Sequence, residues 1–317
     1  MGTGAADNTV FAIAVGPDGS VYATGSFSAM GGVANTGRIA RWDPSLSTWN
    51  AMGTGLALPA GFALTVGHDG SVIVGGSFTS AGGVADTAFI AYWDGAWNAM
   101  GTGMGNDVNA LATGIDGRIY AGGVFVTAGG SAANRVAVWD PDALTWAALG
   151  SGLGSTCNGL AVNAAGTLFA VGIFTTAGGN SALRAASWNG SLWSALSSGL
   201  DNTGTKVVVG PDNMVYVIGS FGSAGGITLI DRGLARWNGY AWSHLDIDLP
   251  GTPTIYAILS SKYVDPVVKQ KYNLFLGFNT TGTGNFAGKV SPDNEGSVPA
   301  YSKIIYSRSG GTSAIIE

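Results

Sequence analysis

Short apolar runs of strand length, separated by Gly, Asp, Asn, Ser and Pro, fill most of this chain, and no 3.6-residue period persists over about 11 residues. Residues 62–66, 72–78, 89–93 and 97–100 form one set of four such runs, each predicting a β-strand. The first two are joined by His68-Asp69-Gly70-Ser71, with counterparts at Pro17-Asp18-Gly19-Ser20, Ile115-Asp116-Gly117-Arg118 and Pro211-Asp212-Asn213. Asp-Gly supplies the positive φ that a tight hairpin needs. Between the second and third runs a longer loop carries a Gly pair, at Gly31-Gly32, Gly82-Gly83, Gly129-Gly130, Gly178-Gly179 and Gly225-Gly226. A Gly pair there predicts a sharp backbone excursion rather than a strand.

The set of four recurs. A Gly-x-Phe tripeptide ends in Phe27, Phe78, Phe125, Phe174 and Phe221, at spacings of 51, 47, 49 and 47 residues. Each is followed by a tryptophan pair: Trp42 and Trp49, Trp93 and Trp97, Trp139 and Trp146, Trp188 and Trp193, Trp237 and Trp242. Four antiparallel strands in such a period predict the blade of a β-propeller, because a solenoid coil is shorter and a helical repeat needs the 3.6 period. One small sheet cannot bury both its faces, so blades stack. Small residues suit the crowded inner strands and tryptophans the outer ones, where more volume must be filled.

A decayed sixth copy runs through residues 254–259, 273–278 and 285–290, and no tryptophan follows to mark its fourth strand. Met1-Gly2-Thr3-Gly4 repeats Met52-Gly53-Thr54-Gly55 and Met100-Gly101-Thr102-Gly103, the tail of a fourth strand. The prediction is an all-β fold: a six-bladed β-propeller of four-stranded antiparallel blades over residues 1–290, closed by the N-terminal strand. Five blades plus an extra sheet, or seven, are the other counts. All six lysines lie at Lys206 or later, and both glutamates, Glu295 and Glu317, are at the C-terminal end. That shift predicts a separate segment, 291–317, as the start of a truncated β-rich tail domain or as edge strands.

Charge is sparse, at 10% of residues, with a net charge of -5, 53 glycines and a positive mean hydropathy. A nucleic-acid surface would need a clustered basic face, and the apolar runs are far short of the roughly 18 residues of a membrane-spanning helix. No basic, apolar N-terminal signal is present. Two histidines, His68 in a hairpin turn and His244 after the last Trp pair, predict surface residues and are too few for a triad or metal cluster in each repeat.

A glycosidase needs two carboxylates about 5 to 9.5 Å apart, and both glutamates lie outside the repeats. The aspartates recur at turn positions (Asp18, Asp69, Asp116, Asp212) or after Trp (Asp43, Asp94, Asp140), where shaping a turn accounts for them. Gly101-Thr-Gly-Met-Gly105 has the look of a phosphate loop but is one copy of the strand-four tail and opens no helix. Cys157 has no basic neighbour in sequence and reads as a structural thiol. Arg38, Arg135 and Arg184 each stand four residues before a first Trp, where they either line a face as ligands, stack on a Trp or bond an adjacent turn. Residues 262–271 hold three lysines and read as a protein contact surface or a solvated hairpin extension. No catalytic, cofactor-binding or metal-binding residue is nominated, and the binding surface is not located.

The stretch Ala12-Ile-Ala-Val-Gly-Pro-Asp-Gly-Ser-Val-Tyr-Ala-Thr-Gly-Ser-Phe27, continued by Arg38-Ile-Ala-Arg-Trp-Asp43, resembles the propeller repeats of bacterial and phage surface proteins: the delta-sixty type and, more distantly, the Rax-two-like and kelch-like groups. Residues 296–317 are similar to the opening of a distal-tail-type β-sandwich domain of long-tailed phages, with Ser302 where that phrase has Pro. Together these resemblances imply a non-enzymatic structural or adhesion module of a phage tail or baseplate protein, contacting the host surface. Two alternatives stand: a carbohydrate-binding, lectin-like propeller of a bacterial surface protein, and a glycosidase or lyase using channel Asp residues. The implied partners are other tail or surface proteins and a host glycan or protein, with no nucleic acid and no membrane insertion. The implied location is a virion tail or the cell surface.

Overall fold

A computed structural model describes residues 7–230, 233–245, 254–263, 271–280, 284–292 and 301–308. Each repeat folds as a four-stranded antiparallel meander with its strands paired in chain order, and the described residues contain six such sheets. Sheet 1 is Val10–Val15, Val21–Gly25, Ile39–Asp43 and Thr48–Ala51; sheet 2 is Gly61–Val66, Val72–Gly76, Ile90–Trp93 and Trp97–Asn98. Sheet 3 is Val108–Thr113, Ile119–Gly123, Val136–Asp140 and Thr145–Ala148; sheet 4 is Cys157–Val162, Leu168–Gly172, Ala185–Trp188 and Trp193–Ala195. Sheet 5 is Gly204–Val209, Val215–Gly219, Leu234–Trp237 and Trp242–Ser243. The chain divides into two compact units, Met1–Leu160 with Gly190–Leu192, and Ala161–Asn189 with Trp193–Glu317.

Burial explains the repeated Phe. Phe27, Phe78, Phe125, Phe174 and Phe221 are fully buried, each contributing about 1.5–3 kcal/mol by area removed from water. In the first unit Phe78 clusters with Tyr22, Ile39 and Met52 of the preceding sheet, and Phe125 with Ile73, Ile90 and Met100. In the second, Phe221 clusters with Phe169, Val171 and Leu196. The anchor therefore fastens a sheet to its predecessor.

The Gly of Gly-x-Phe has a separate cause. A Cβ on Gly25, Gly76, Gly123 or Gly219 would fall on the carbonyl oxygen of Thr9, Ala60, Asp107 or Thr203, at the start of the same sheet's first strand. That strand carries a register shift there, an extra residue (Phe11, Phe62, Asn109 or Thr205) that pushes the carbonyl inward.

The tryptophans pair across the third and fourth strands in sheets 1 to 5, as Trp93↔Trp97 and Trp139↔Trp146 illustrate, with ring centroids 5.2 to 5.6 Å apart. Edge or tilted aromatic contacts of this kind add about 0.5–1.5 kcal/mol each beyond area. The second indole of a pair also reaches the preceding sheet: Nε1 of Trp97, Trp146 and Trp242 donates to the carbonyl of Met52, Met100 and Leu196 at 2.8, 2.9 and 2.8 Å.

One expectation needs correction. The Gly-pair loop is not strand-free: in sheets 3, 4 and 5 it is a miniature hairpin, Thr127–Ala128 with Ser131–Ala132 and its counterparts. The Gly pair is the turn of that hairpin, with φ of 56° and 79° at Gly129 and Gly130, the double left-handed geometry that matches strand twist. The sixth sheet, Thr254–Tyr263, Lys271–Thr280, Gly284–Pro292 and Tyr301–Arg308, takes its fourth strand from the C-terminal segment. Tyr-Ser-Lys-Ile-Ile-Tyr is itself β-prone and pairs in register, Ile304 with Val290 and Tyr306 with Gly288. Met1–Gly4, expected to supply that strand, lies outside the described residues.

Candidate functional site

In sheets 1 to 5 each hairpin joining first and second strands is built round a carboxylate or amide that accepts from its own turn. Asp18 Oδ1 accepts from the Ser20 amide at 2.9 Å, Asp69 Oδ1 from the Ser71 amide at 3.0 Å, and Asp212 Oδ1 from the Met214 amide at 3.1 Å. Asn163 does the same in sheet 4, where no Asp-Gly marks the turn. The turns joining third and fourth strands repeat the device: Asp43 accepts from Ser45, Asp140 from Asp142 and Ala143, and Asn238 from Tyr240 and Ala241. These bonds hold the Asp18, Asp43 and Asp140 carboxyls below the usual carboxylate range. The aspartates thus shape turns, as their spacing suggests.

Between these two kinds of turn in sheets 2 and 3, within the first unit, lies a cavity of about 440 Å³. Its polar wall includes His68, Asp69, Ser71, Asp116 and Asp142, and its apolar wall Ile73, Tyr92, Ile119, Trp139 and Leu144. A smaller gap of about 240 Å³ between sheets 1 and 2 is lined by Tyr22, Arg41, Asp69, Trp93 and Asp94. The larger cavity owes its outer wall to Pro141–Leu144, since Trp139 and Trp146 are seven residues apart where Trp93 and Trp97 are four. The length of that turn was visible in the sequence, but the cavity it walls was not.

The other nominated residues have structural partners. Arg38, Arg135 and Arg184 bond carbonyls with Nη1, those of Leu56, Phe125 and Leu200 at 3.3, 3.3 and 2.9 Å, so they tie adjacent segments. Each also has a positive φ, 64°, 66° and 63°, at a position filled by Phe89 in sheet 2 and Gly233 in sheet 5. Cys157 is fully buried and its thiol is pushed up to about 12 by that burial. Three amides of the Gly101–Gly105 stretch are bonded to backbone carbonyls: Gly103 donates to Met100, Met104 to Ala88 and Gly105 to Thr127. His68 is exposed, as expected, whereas His244 is half-buried. Of residues 262–271 the structure places Lys262 and Tyr263 opposite Tyr272 and Lys271, and residues 264–270 lie outside the described set. Among the described residues no three His, Cys, Asp or Glu side chains converge as metal ligands.

Residues 68–90, from the first hairpin turn of sheet 2 to its third strand, match the model of a family described as a domain of unknown function (DUF5122) beta-propeller. Among solved structures, that of U3-55K aligns over 98% of this chain and 93% of its own at a TM-score of 0.55 and 10% identity. The structure of YCF48 bound to D1 peptide aligns over 93% and 81% at 0.51 and 11% identity. The fold is a β-propeller. Identities this low extend the likeness to the fold alone. A gluconolactonase from Xanthomonas campestris aligns at a TM-score of 0.47 and 15% identity, too distant to carry an argument about chemistry. No curated protein matches the sequence. A propeller presents its strand connections as loops on a rigid scaffold, which is where the two turn families and the cavity lie.

Proposed function

We propose that this propeller is a non-enzymatic structural or adhesion module that meets its partner through its turns. The observation that carries this reading is the turn joining third and fourth strands, which holds Leu46, Leu144, Leu192 and Tyr240 out in solvent at 67, 64, 68 and 90% exposure. A single exposed leucine is ordinary; one large apolar residue on the same turn of four repeats is a pattern that contact with a partner rationalises, at about 25 cal/mol per Å² covered. The carboxylates of those turns are occupied in shaping them, which favours recognition over acid–base chemistry.

The repeat resemblance supports a bacterial or phage surface, and placement in a phage tail or baseplate rests on the resemblance of residues 296–317. The partners are then other tail or surface proteins and a host-surface protein or glycan. The carbohydrate-binding alternative has one observation in its favour, the cavity between sheets 2 and 3 with Tyr92 and Trp139 beside Asp and His side chains.

The test is saturable binding of the purified chain to whole bacterial cells and to a glycan array, run beside a panel of chromogenic glycosides. Cell binding without turnover is the expected result, and array hits abolished by Tyr92→Ala would select the lectin alternative. Turnover lost in Asp107→Asn would overturn the non-enzymatic reading, because Asp107 is a carboxyl that burial pushes up, the direction a general acid requires.

A further inference from the structure

Within the first unit, sheet 1 answers a question that sheet 2 leaves open. In sheet 1 the turn carboxylate is met by the chain's own guanidinium: Arg41 Nη2 donates to Asp18 Oδ2 at 3.0 Å, and Arg41 Nε donates to Ser20 Oγ at 2.9 Å. Arg41 stands on the third strand, opposite Tyr22. The same register position in sheet 2, opposite Ile73, is Tyr92.

The turn itself is otherwise conserved between the two sheets: Asp69 and Ser71 stand where Asp18 and Ser20 do, and Asp69 Oδ1 takes both the Ser71 amide and the Ser71 hydroxyl, the latter at 2.6 Å. Nothing among the described residues donates to Asp69 Oδ2. The other aspartates of the hairpins joining first and second strands have their second oxygen met: Asp116 Oδ2 by Arg118 Nη1 at 3.3 Å, and Asp212 Oδ2 by the Tyr216 hydroxyl at 2.6 Å. Arg41 itself is engaged by Asp18 and by Asp43 in its own sheet.

Asp69 also lines the cavity of about 440 Å³ that opens between sheets 2 and 3, and no Lys or Arg lines that cavity. Ile73, Ile119 and Leu144 supply apolar lining to the same cavity. A carboxylate oxygen and a serine hydroxyl set beside an apolar wall match the two halves of an arginine side chain, a planar donor fork on a hydrocarbon stem.

We propose that this cavity receives an arginine side chain from a partner polypeptide, its guanidinium bonding Asp69 Oδ2 and Ser71 Oγ as Arg41 bonds Asp18 and Ser20, and its stem lying on Ile73, Ile119 and Leu144. The inference rests on the non-enzymatic binding reading and names the partner's chemistry at one site. Sheet 1 is the intramolecular form of the same contact. In sheet 2 Tyr92 stands in place of that arginine.

The probe is the peptide acetyl-Gly-Arg-Gly-amide, titrated into the full chain while the backbone amide signals of Gly67, His68, Ser71 and Gly117 are followed by NMR. Shifts confined to these residues are expected, with the citrulline peptide, a neutral isostere, and the Lys peptide each about tenfold weaker, because a charge-assisted, two-point contact is lost. Asp69→Asn, which keeps an acceptor for the Ser71 amide, should weaken the arginine peptide by a similar factor. Tyr92→Arg should abolish binding by filling the half-site from within. Equal binding of arginine and citrulline peptides, undiminished binding to Asp69→Asn, or shifts elsewhere than these turns would overturn the proposal. These outcomes are independent of whether cells or glycans are bound and of any glycoside turnover.

Discussion

The indole Nε1 of Trp97 donates to the carbonyl of Met52, 45 residues earlier, at 2.8 Å, joining the fourth strand of sheet 2 to the end of sheet 1. Trp146 does the same with Met100, so this contact is part of the repeat as much as the strands are. Trp49 stands at the equivalent place in sheet 1, and its buried Nε1 has no partner among the described residues.

Trp97→Phe keeps most of the buried area and removes the indole donor, leaving the Met52 carbonyl with the Gly55 amide alone. The expected cost is about 1–2 kcal/mol, read as a fall in Tm of about 2–4 °C per kcal/mol for a chain of this size. Trp49→Phe should stay within about 0.5 kcal/mol of the parent. Equal losses in the two variants would contradict the role assigned to the indole N–H.

Gly75→Ala tests the close approach of the inner strands. A Cβ there would stand 2.5 Å from Val108 Cγ1 and 2.9 Å from Val108 Cβ, atoms that a stiff β-branched side chain cannot withdraw. Overpacking of this kind costs about 1–3 kcal/mol. In a Val108→Ala background the same substitution should cost less, and a double-mutant cycle from denaturant unfolding measures the difference. A strictly additive cycle would place the strain elsewhere.

Burial pushes the Cys157 thiol up to about 12, far from the range of a reactive thiolate. The folded chain should therefore fail to react with a chromogenic disulfide reagent at pH 8, while one equivalent reacts in denaturant. Native labelling at the denatured rate would show that the first strand of sheet 4 opens readily.

Acid should act in two opposite directions. Asp18 is held below the usual carboxylate range first by the Ser20 amide, Asp43 first by the Ser45 hydroxyl and Asp140 first by the Ala143 amide. A folded pKa below the unfolded value means a stabilisation that is present above about pH 3.9 and lost as pH falls through the folded value. Asp107 has the reverse sign: burial raises its pKa, so its contribution is fullest below the unfolded value and is lost as pH rises through the folded one. Asp107→Asn should thus raise Tm at pH 7 and leave it unchanged near pH 3. A variant with the same gain at both pH values would refute the assignment.

Much of the architecture was legible because its causes are local. Asp-Gly turns need left-handed φ, and runs such as Val72–Gly76 have strand length and composition; both signals lie within a few adjacent residues. The same signal predicts Asp69 and Asp116 as turn residues, and the structure places them in those turns. The positive φ at Arg38, Arg135 and Arg184 was not legible, since arginine gives no sign of it; Gly233 at the same position was the available clue.

The candidate site was less visible. Its acidic half follows from the repeat, but the cavity depends on which side chains of sheet 3 oppose those of sheet 2, and on a longer third-to-fourth turn at residues 141–144. That Tyr92 replaces Arg41 in register becomes meaningful only once Asp18 is seen bonded to Arg41.

What the sequence by itself determined is the unit: four short strands, their turns, the Phe anchor and the Trp pair, because hydrophobic period, turn chemistry and aromatic pairing act over one repeat. Tertiary structure alone decided why Gly precedes the anchor, where the second indole finds its acceptor, which strand completes the sixth sheet, and which turn carboxylate keeps one oxygen without a donor among the described residues. Those outcomes depend on groups brought together from separate strands and repeats, whose distances the order of residues along the chain does not specify.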